Sequence, residues 1–321
     1  MTEVIQAKAA VVILNWNGWR DTLTCIRSVL THAGDAQVVV CDNGSSNGSY
    51  EHLKAALSAE LPDEAWFCFE AKNAWPRVTA ARVVLIQNGA NLGFAGGCNV
   101  GLSFAMAQGH RYFWLLNNDT EIEPGALDGL LQRMSQDPEV GMCGSRLVYF
   151  DAPDVVQARG GAIYDPQTGV GRHIGVQEAI TVPEDAAEIE ASMDYVVGAS
   201  MMVSRRFLES VGLMEEDYFL YFEELDWATR GRVHGFRLAY AQDSVVRHKE
   251  GASIGTSHRG PGSMLSMRYL SRNRLLFTQR FYPQHLGAVR RRMAFEALVY
   301  FKRCQWAAAK VVLQSLFMKR R

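Results

Sequence analysis

The sequence predicts an α/β protein built on a mainly parallel sheet with helices packed on both faces. Three observations carry this reading. Short apolar runs rich in β-branched residues recur through the first half, stretches with helical spacing separate them, and polar residues close the runs. Parallel neighbours need crossover connections, and that alternation supplies them.

Residues 9–14 (AAVVIL) read as a buried strand that Asn17 and Gly18 end. Asp21 stands where an N-cap would, ahead of a helix over 22–30 with Leu23, Ile26, Val29 and Leu30 on one face. Residues 37–41 (QVVVC) form a second strand, closed by Asp42, Asn43 and Gly44, and 50–57 a second helix. A third strand spans 82–87 (RVVLIQ). The glycine-rich loop 91–99 (NLGFAGGCN) leads into a helix that runs to about Gln108. Residues 112–116 (YFWLL) are a fourth strand, running straight into Asn117, Asn118 and Asp119. Ligands of such sheets gather at the carboxyl ends of the strands, where Asn15, Asp42 and Asp119 all fall.

The second half is less regular. Residues 159–189, rich in Gly, Pro and acids, read as loops with a hairpin, and 195–203 (YVVGASMMV) as a strand. A short helix over 207–213 ends at Gly212, an acid-dense one lies within 218–234, and the pattern from Ser263 onward is helical to the end.

The formal net charge of -1 conceals an asymmetry. From His285 onward nine basic residues face the single acid Glu296, a local +8 that leaves -9 on the rest. A basic tail with Phe295, Tyr300, Phe301 and Trp306 interleaved suits peripheral contact with an anionic membrane. An acidic body argues against nucleic acid as a partner. The six cysteines have no metal-type spacing and suit a reducing compartment. With no leader-like start and no apolar run long enough to span a bilayer, the expectation is a cytoplasmic protein, at most peripheral on the inner face of the membrane.

Several residues stand out chemically. Asp119 emerges at a sheet edge, where a carboxylate is either a helix cap or a ligand for a hard cation such as Mg²⁺ or Mn²⁺. Glu223, Glu224 and Asp226 sit among aromatics in FLYFEELDW (219–227), an environment that raises carboxyl pKa values and suits a general base. An acid-rich helix start explains the same acids structurally. The loop around Gly93 permits close backbone approach to a ligand or simply a tight turn. His248 follows a short strand and could bind metal, and Arg272 and Arg274 could clamp a phosphate.

Together these pieces resemble glycosyltransferase family 2, most closely its bacterial rhamnosyltransferase-like members. The likeness runs from about Ala9 to about Phe281. Its stations come in order: VVILNWN (11–17), VCDNGSS (40–46), NLGFAGGCN (91–99), LLNNDT (115–120), GASM (198–201), FEELD (222–226), His248 and Arg272-Asn273. The resemblance implies a GT-A fold, with a nucleotide-sugar-binding half (1–125), an acceptor-binding and catalytic half (126–260) and a helical, basic extension (261–321). It places Asn15, Asn17, Asp42, Asn91, Gly93, Asn118 and Arg272 around the nucleotide, and Asp119, with His248, on a Mg²⁺ or Mn²⁺ ion. Its usual Glu-Asp pair reads Glu223-Glu224 here, which puts Glu224 at the catalytic base, with Glu223 and Asp226 as rivals. It implies an inverting transfer of rhamnose or a similar sugar from a dTDP- or UDP-linked donor to a saccharide or polyprenyl-linked acceptor. A sugar nucleotidyltransferase and a non-catalytic sugar-nucleotide-binding protein are the alternatives.

Overall fold

The computed structural model describes residues 9–72, 75, 80–249 and 263–317. The first half follows the expected alternation: β1 (Ala9–Asn15), α1 (Trp19–His32), β2 (Gln37–Asp42), α2 (Ser49–Glu60), β3 (Trp66–Glu70), β4 (Val83–Gln87), α3 (Gly93–Ala107) and β5 (Tyr112–Asn117). These five strands pair in parallel in the order β3-β4-β2-β1-β5. Val11, Val12 and Ile13 of β1 are fully buried because helices cover both faces. Each such side chain contributes roughly 1.5–3 kcal/mol of apolar burial. In register, Asn15 lies beside Asp42, Asp42 beside Gln87, and Leu14 beside Asn117. The carboxyl ends of adjacent strands therefore form one polar edge.

The helix α1 begins earlier than its periodicity suggests. Gly18 is its N-cap and Asp21 lies within the first turn, where its charge faces the helix N-terminus without capping it. The glycines of α3 are explained by packing. A Cβ at Gly97 would collide with Leu14, and one at Gly101 would lie 2.6 Å from Val12 and 3.0 Å from Cys41. Missing side chains let α3 lie close against β1 and β2.

The second half continues the same sheet, with more strands than its pattern announces. They are β6 (Thr120–Ile122), β7 (Val140–Tyr149) after helix α4 (Ala126–Gln136), β8 (Ala152–Arg159), the hairpin β9 (Gly161–Asp165) and β10 (Val170–His173), β11 (Tyr195–Val196) after α5 (Ala186–Ser192), and β12 (Ser200–Ser204). After helices α6 (Arg205–Val211) and α7 (Glu223–Val233), β13 (Arg237–His248) closes the series. The large sheet extends β5-β12-β7-β13-β6, with β8 on β7, while β10-β9-β11 makes a small second sheet. The expected strand over 195–203 is thus two strands in different sheets, broken around Gly198. A buried hydroxyl chain ties four strands of the large sheet together. Trp114 Nε1 donates to Ser200 Oγ at 2.8 Å, which lies 2.7 Å from Ser145 Oγ, and Ser244 Oγ donates to Ser145 Oγ at 2.8 Å.

The described residues of the C-terminal region form three α-helices, α8 (Met264–Phe281), α9 (Leu286–Lys302) and α10 (Trp306–Leu316), and the last four residues of the expected helical stretch lie outside the described residues. No described helix is long and apolar enough to cross a membrane. Cys25, Cys41, Cys98 and Cys143 are buried free thiols, as their small and apolar neighbours suggest.

Candidate functional site

A cavity of about 270 Å³ opens between the carboxyl end of the sheet and the start of α7. Leu14, Trp16, Phe94, Val197, Ala199 and Leu220 give it an apolar lining. Asn117, Asn118, Asp119, Gln157, His173, Glu223, Glu224 and His248 supply its polar groups.

Asp119 and His248 meet because two strands pair. The antiparallel register of β13 on β6 sets His248 beside Thr120, and Lys249 N donates to Asp119 O at 3.0 Å. The result puts His248 Nε2 3.3 Å from Asp119 Oδ1, with both residues more than nine-tenths buried. Asp119 caps no helix; it occupies the turn between β5 and β6. Neighbouring ligands of an octahedral ion with bonds of about 2.1 Å stand about 3.0 Å apart, so a shift of a few tenths of an ångström brings this pair onto one ion. A Mg²⁺ or Mn²⁺ ion held by one carboxylate commonly completes its shell with water and substrate phosphate oxygens. The pair therefore fits such an ion as two of its six ligands. Among the described residues no group of three or more His, Cys, Asp or Glu side chains forms a complete cage. Asn118 also lines the cavity, its Nδ2 donating to Thr22 Oγ1 at 3.0 Å.

Glu223 and Glu224 enter the cavity at the first turn of α7. The chain reaches them through Phe219, Tyr221 and Phe222, all at positive φ (63°, 68° and 79°). Three aromatics in the left-handed region are strained, and the surroundings must hold them there. One fastener is Asn273, fully buried on α8, whose amide nitrogen lies 2.8, 2.8 and 3.0 Å from the carbonyls of Tyr218, Leu220 and Tyr221. Gly93 is another contact. Its φ of 75° and absent side chain admit the backbone of Phe219, and Phe94 N donates to Phe219 O at 2.6 Å.

In each glutamate Oε2 is buried with no hydrogen-bond partner. Burial pushes the Glu224 carboxyl up from its ordinary 4.5 to about 7, although its own backbone N–H and that of Phe222 oppose the rise. Burial, and then the neighbouring Glu224, raise Glu223 well above the usual range. Asp226 does not share the cavity. Its carboxylate accepts from Tyr218 Oη and from Arg280 Nη1, each at 3.0 Å, and from Arg230 Nε at 2.5 Å.

The remaining expected residues form a second cluster at the polar edge of the sheet. Asn15 Nδ2 donates to Asp42 Oδ2 at 2.6 Å and to Ser45 Oγ at 3.2 Å, while Asn15 Oδ1 accepts from Thr22 Oγ1 at 2.7 Å. Asp42 Oδ1 accepts from Ser45 N at 3.0 Å and Gln87 Nε2 at 2.9 Å, so this carboxylate is fully buried and spent on the loop. Asn17, at φ 56°, accepts from Ser46 N at 2.9 Å. Asn91 Oδ1 accepts from Asn43 Nδ2 at 3.1 Å and Gly93 N at 3.0 Å. Arg272 is elsewhere: Nη1 donates to Asp217 O and Asn273 Oδ1, both at 2.7 Å, and it does not line the cavity.

Sequence reasoning missed Gln157, His173, Trp16 and Phe94 at the cavity wall. Trp16 and Phe94 lie inside the stations it named, the first between Asn15 and Asn17 and the second between Gly93 and Ala95. Gln157 and His173 lie in segments that offered no motif.

A mixed sheet whose parallel strand ends carry polar clusters, next to a cavity holding Asp119 and a glutamate pair, defines a GT-A architecture. The solved mannosyltransferase of Pyrobaculum calidifontis, in complex with GDP-Man and Mn²⁺, superposes with a TM-score of 0.55 at 12% identity, over 98% of this chain and 86% of that one. The chain belongs to glycosyl transferase family 2, whose model matches residues 10–212. It is similar to the low-salt glycan biosynthesis hexosyltransferase of Haloferax volcanii, 25% identical over 166 residues. That match covers 51% of each chain, about half the length of the relative. It is also similar to the N-acetylglucosaminyl-diphospho-decaprenol L-rhamnosyltransferase of Mycobacterium tuberculosis, 24% identical over 256 residues, 73% of this chain and 72% of the relative.

Proposed function

We propose that this protein transfers a deoxyhexose such as rhamnose from a dTDP- or UDP-linked donor to a hydroxyl of a saccharide or polyprenyl-linked saccharide. The first half would hold the nucleotide and the second the acceptor. One observation carries the reading: Asp119 and Glu224 line the same cavity, and an oxygen of Glu224 is buried there with no protein partner. A buried carboxylate oxygen without a partner is costly unless a ligand group satisfies it, and an acceptor hydroxyl would do so.

Glu224 acts as general base, taking the proton of the acceptor hydroxyl as that oxygen attacks the anomeric carbon. With the base and the diphosphate on opposite sides of that carbon, a single displacement inverts its configuration. Asp119 and His248 would hold a Mg²⁺ or Mn²⁺ ion, which would supply positive charge to neutralise the leaving diphosphate. The apolar lining favours a sugar that turns a face poor in hydroxyls to Trp16, Phe94 and Leu220. Asn15, Asn17, Asp42 and Asn91 shape the loop edge against which the nucleoside would lie, with Asn118 and Gly93 beside it. Contacts of the basic α9–α10 region with anionic lipid would hold the enzyme near a lipid-linked acceptor.

The test is a panel of nucleoside-diphosphate sugars with Mn²⁺, read by thermal shift and then by turnover with lipid-linked and free saccharide acceptors. Binding of a dTDP- or UDP-sugar, release of the nucleoside diphosphate and an inverted product support the reading. A retained anomeric configuration, pyrophosphate release, or full turnover in Glu224→Gln would refute it.

A further inference from the structure

Gln157 is a neutral side chain, 1% exposed, at the wall of the cavity that holds Asp119, His173, Glu223, Glu224 and His248. It sits on β8, which pairs with the far end of β7, and β13 pairs with that same stretch of β7 from the other edge. The arrangement carries Gln157 to His248 at the end of β13. His248 Nδ1 lies 2.8 Å from Gln157 Oε1. An amide oxygen only accepts, so Nδ1 carries the proton of that bond. In the neutral ring the lone pair is then on Nε2, the nitrogen 3.3 Å from Asp119 Oδ1. A lone pair facing a carboxylate oxygen is an arrangement that a shared cation satisfies.

We propose that Gln157 is the positioning residue of the metal site: by accepting the Nδ1 proton it fixes His248 as an Nε2 ligand beside Asp119. The inference rests on the reading of Asp119 and His248 as metal-binding. It explains how a station with a single acid can still hold an ion. The side chain that stands beside the Asp119 carboxylate is His248, at 3.3 Å, and an imidazole binds metal only through a deprotonated nitrogen. Left to itself, the ring would distribute its proton between both nitrogens. The main-chain carbonyl of Gln157 also lies 3.3 Å from Nδ1 of His173, so the same residue meets a second histidine of the cavity.

The experiment titrates Mn²⁺ into the full chain in the presence of dTDP, following the free ion by electron paramagnetic resonance. Wild type, His248→Ala, Gln157→Leu and Gln157→Glu are compared. Metal-site partners of this kind are worth about 10- to 100-fold in affinity, so Gln157→Leu should lose that much. Gln157→Glu keeps an acceptor for Nδ1–H and should stay within a few-fold of wild type. Long-range ¹H–¹⁵N spectra of the metal-free chain should show His248 protonated on Nδ1 in wild type and Gln157→Glu, and a mixture in Gln157→Leu. Wild-type affinity or an unchanged tautomer in Gln157→Leu overturns the proposal, as does a folded Gln157→Glu that no longer binds Mn²⁺. Should Gln157→Leu fail to fold, the glutamate variant and the wild-type tautomer decide alone. Full affinity in His248→Ala, or no Mn²⁺ uptake by wild type, would instead refute the metal reading beneath it.

Discussion

The side-chain amide of Asn273 donates to the main-chain carbonyl of Leu220 at 2.8 Å, fastening α8 to the loop that delivers the glutamate pair. That loop holds three aromatic residues at positive φ, each costing on the order of 1–3 kcal/mol. Removing the amide leaves buried carbonyls unsatisfied at about 1–3 kcal/mol each, and lets the strain relax. Asn273→Ala should lower the melting temperature and cut kcat more than it raises KM. A variant with full kcat would show that the loop keeps its shape without the amide.

Asp226 is held differently from its neighbours. Fully buried, it is shared by Arg230, Arg280 and Tyr218, so its role is to lock α7 against α8. Asp226→Ala takes one shared carboxylate from the part-exposed Arg230 and Arg280 and leaves the buried Tyr218 hydroxyl without its acceptor, a loss of about 1–3 kcal/mol. Chemical denaturation should register that loss. If stability barely moves and only turnover falls, Asp226 belongs to the chemistry after all.

A base must be ionised to work, and burial raises Glu224 to about 7. In the proposed reaction kcat/KM should therefore climb with pH through about 7, where an ordinary glutamate would be fully ionised by pH 6. A pH–rate profile with saturating Mn²⁺ checks this. A plateau reached by pH 5.5 would mean that Glu224 is not the limiting group.

Glu223 makes a prediction about stability with a defined sign. Its folded pKa is raised above the unfolded 4.5, so its contribution is fully present below that value and is lost as pH rises toward the folded one. Glutamine cannot ionise in either state and escapes the loss. Glu223→Gln should match wild type near pH 4 and melt higher at pH 8, by on the order of 2–4 °C for about 1 kcal/mol. An equal or lower melting point at pH 8 would place the charged form of Glu223 in a stabilising contact.

The parts of the fold legible in the sequence are those where one local rule dominates. β1, β2, β4 and β5 are buried on both faces and spelled in β-branched residues, so the apolar runs give them away. β7 is as central, yet Gly141 and Gly144 break its pattern. Both are demanded by tertiary neighbours, since a Cβ at Gly144 would strike the backbone of Gly160. β3 is a half-exposed edge strand of aromatics, and its short run bears no periodic mark. At the site, carboxylates at strand ends were visible because chemistry favours them there. Gln157 was not, because an amide inside a strand has no spacing to betray it. The choice of Arg272 over Asn273 illustrates the same limit. Charge suggested a phosphate clamp, whereas the working group of that pair is a buried neutral amide whose partners lie some fifty positions earlier.

The C-terminal helices carry a prediction about location. On α9, Phe295, Leu298 and Phe301 follow helical spacing and are each more than half exposed; Trp306 and Leu313 on α10 and Phe317 at its C-cap continue the exposed stripe, with Phe317 81% exposed. Phe301 and Trp306 meet edge-on at 4.5 Å and join the two parts of the stripe around a shallow groove that also includes Lys310. Arg290, Arg291, Lys302 and Arg303 of the same helical region are exposed, and its one acid, Glu296, is already paired with Arg274 and Arg292. Aromatics that could enter the acyl boundary beside unpaired cations fit an anionic bilayer surface. The full chain should sediment with phosphatidylglycerol-containing vesicles and not with phosphatidylcholine alone, and salt should weaken the binding as it screens the cations. Replacing Phe301, Trp306 and Phe317 together by Ser removes mostly exposed surface and should leave the fold intact while releasing the protein from vesicles. If the triple variant still sediments, the aromatic face is not what meets the lipid; if wild type instead self-associates through it, the face joins two copies of this chain.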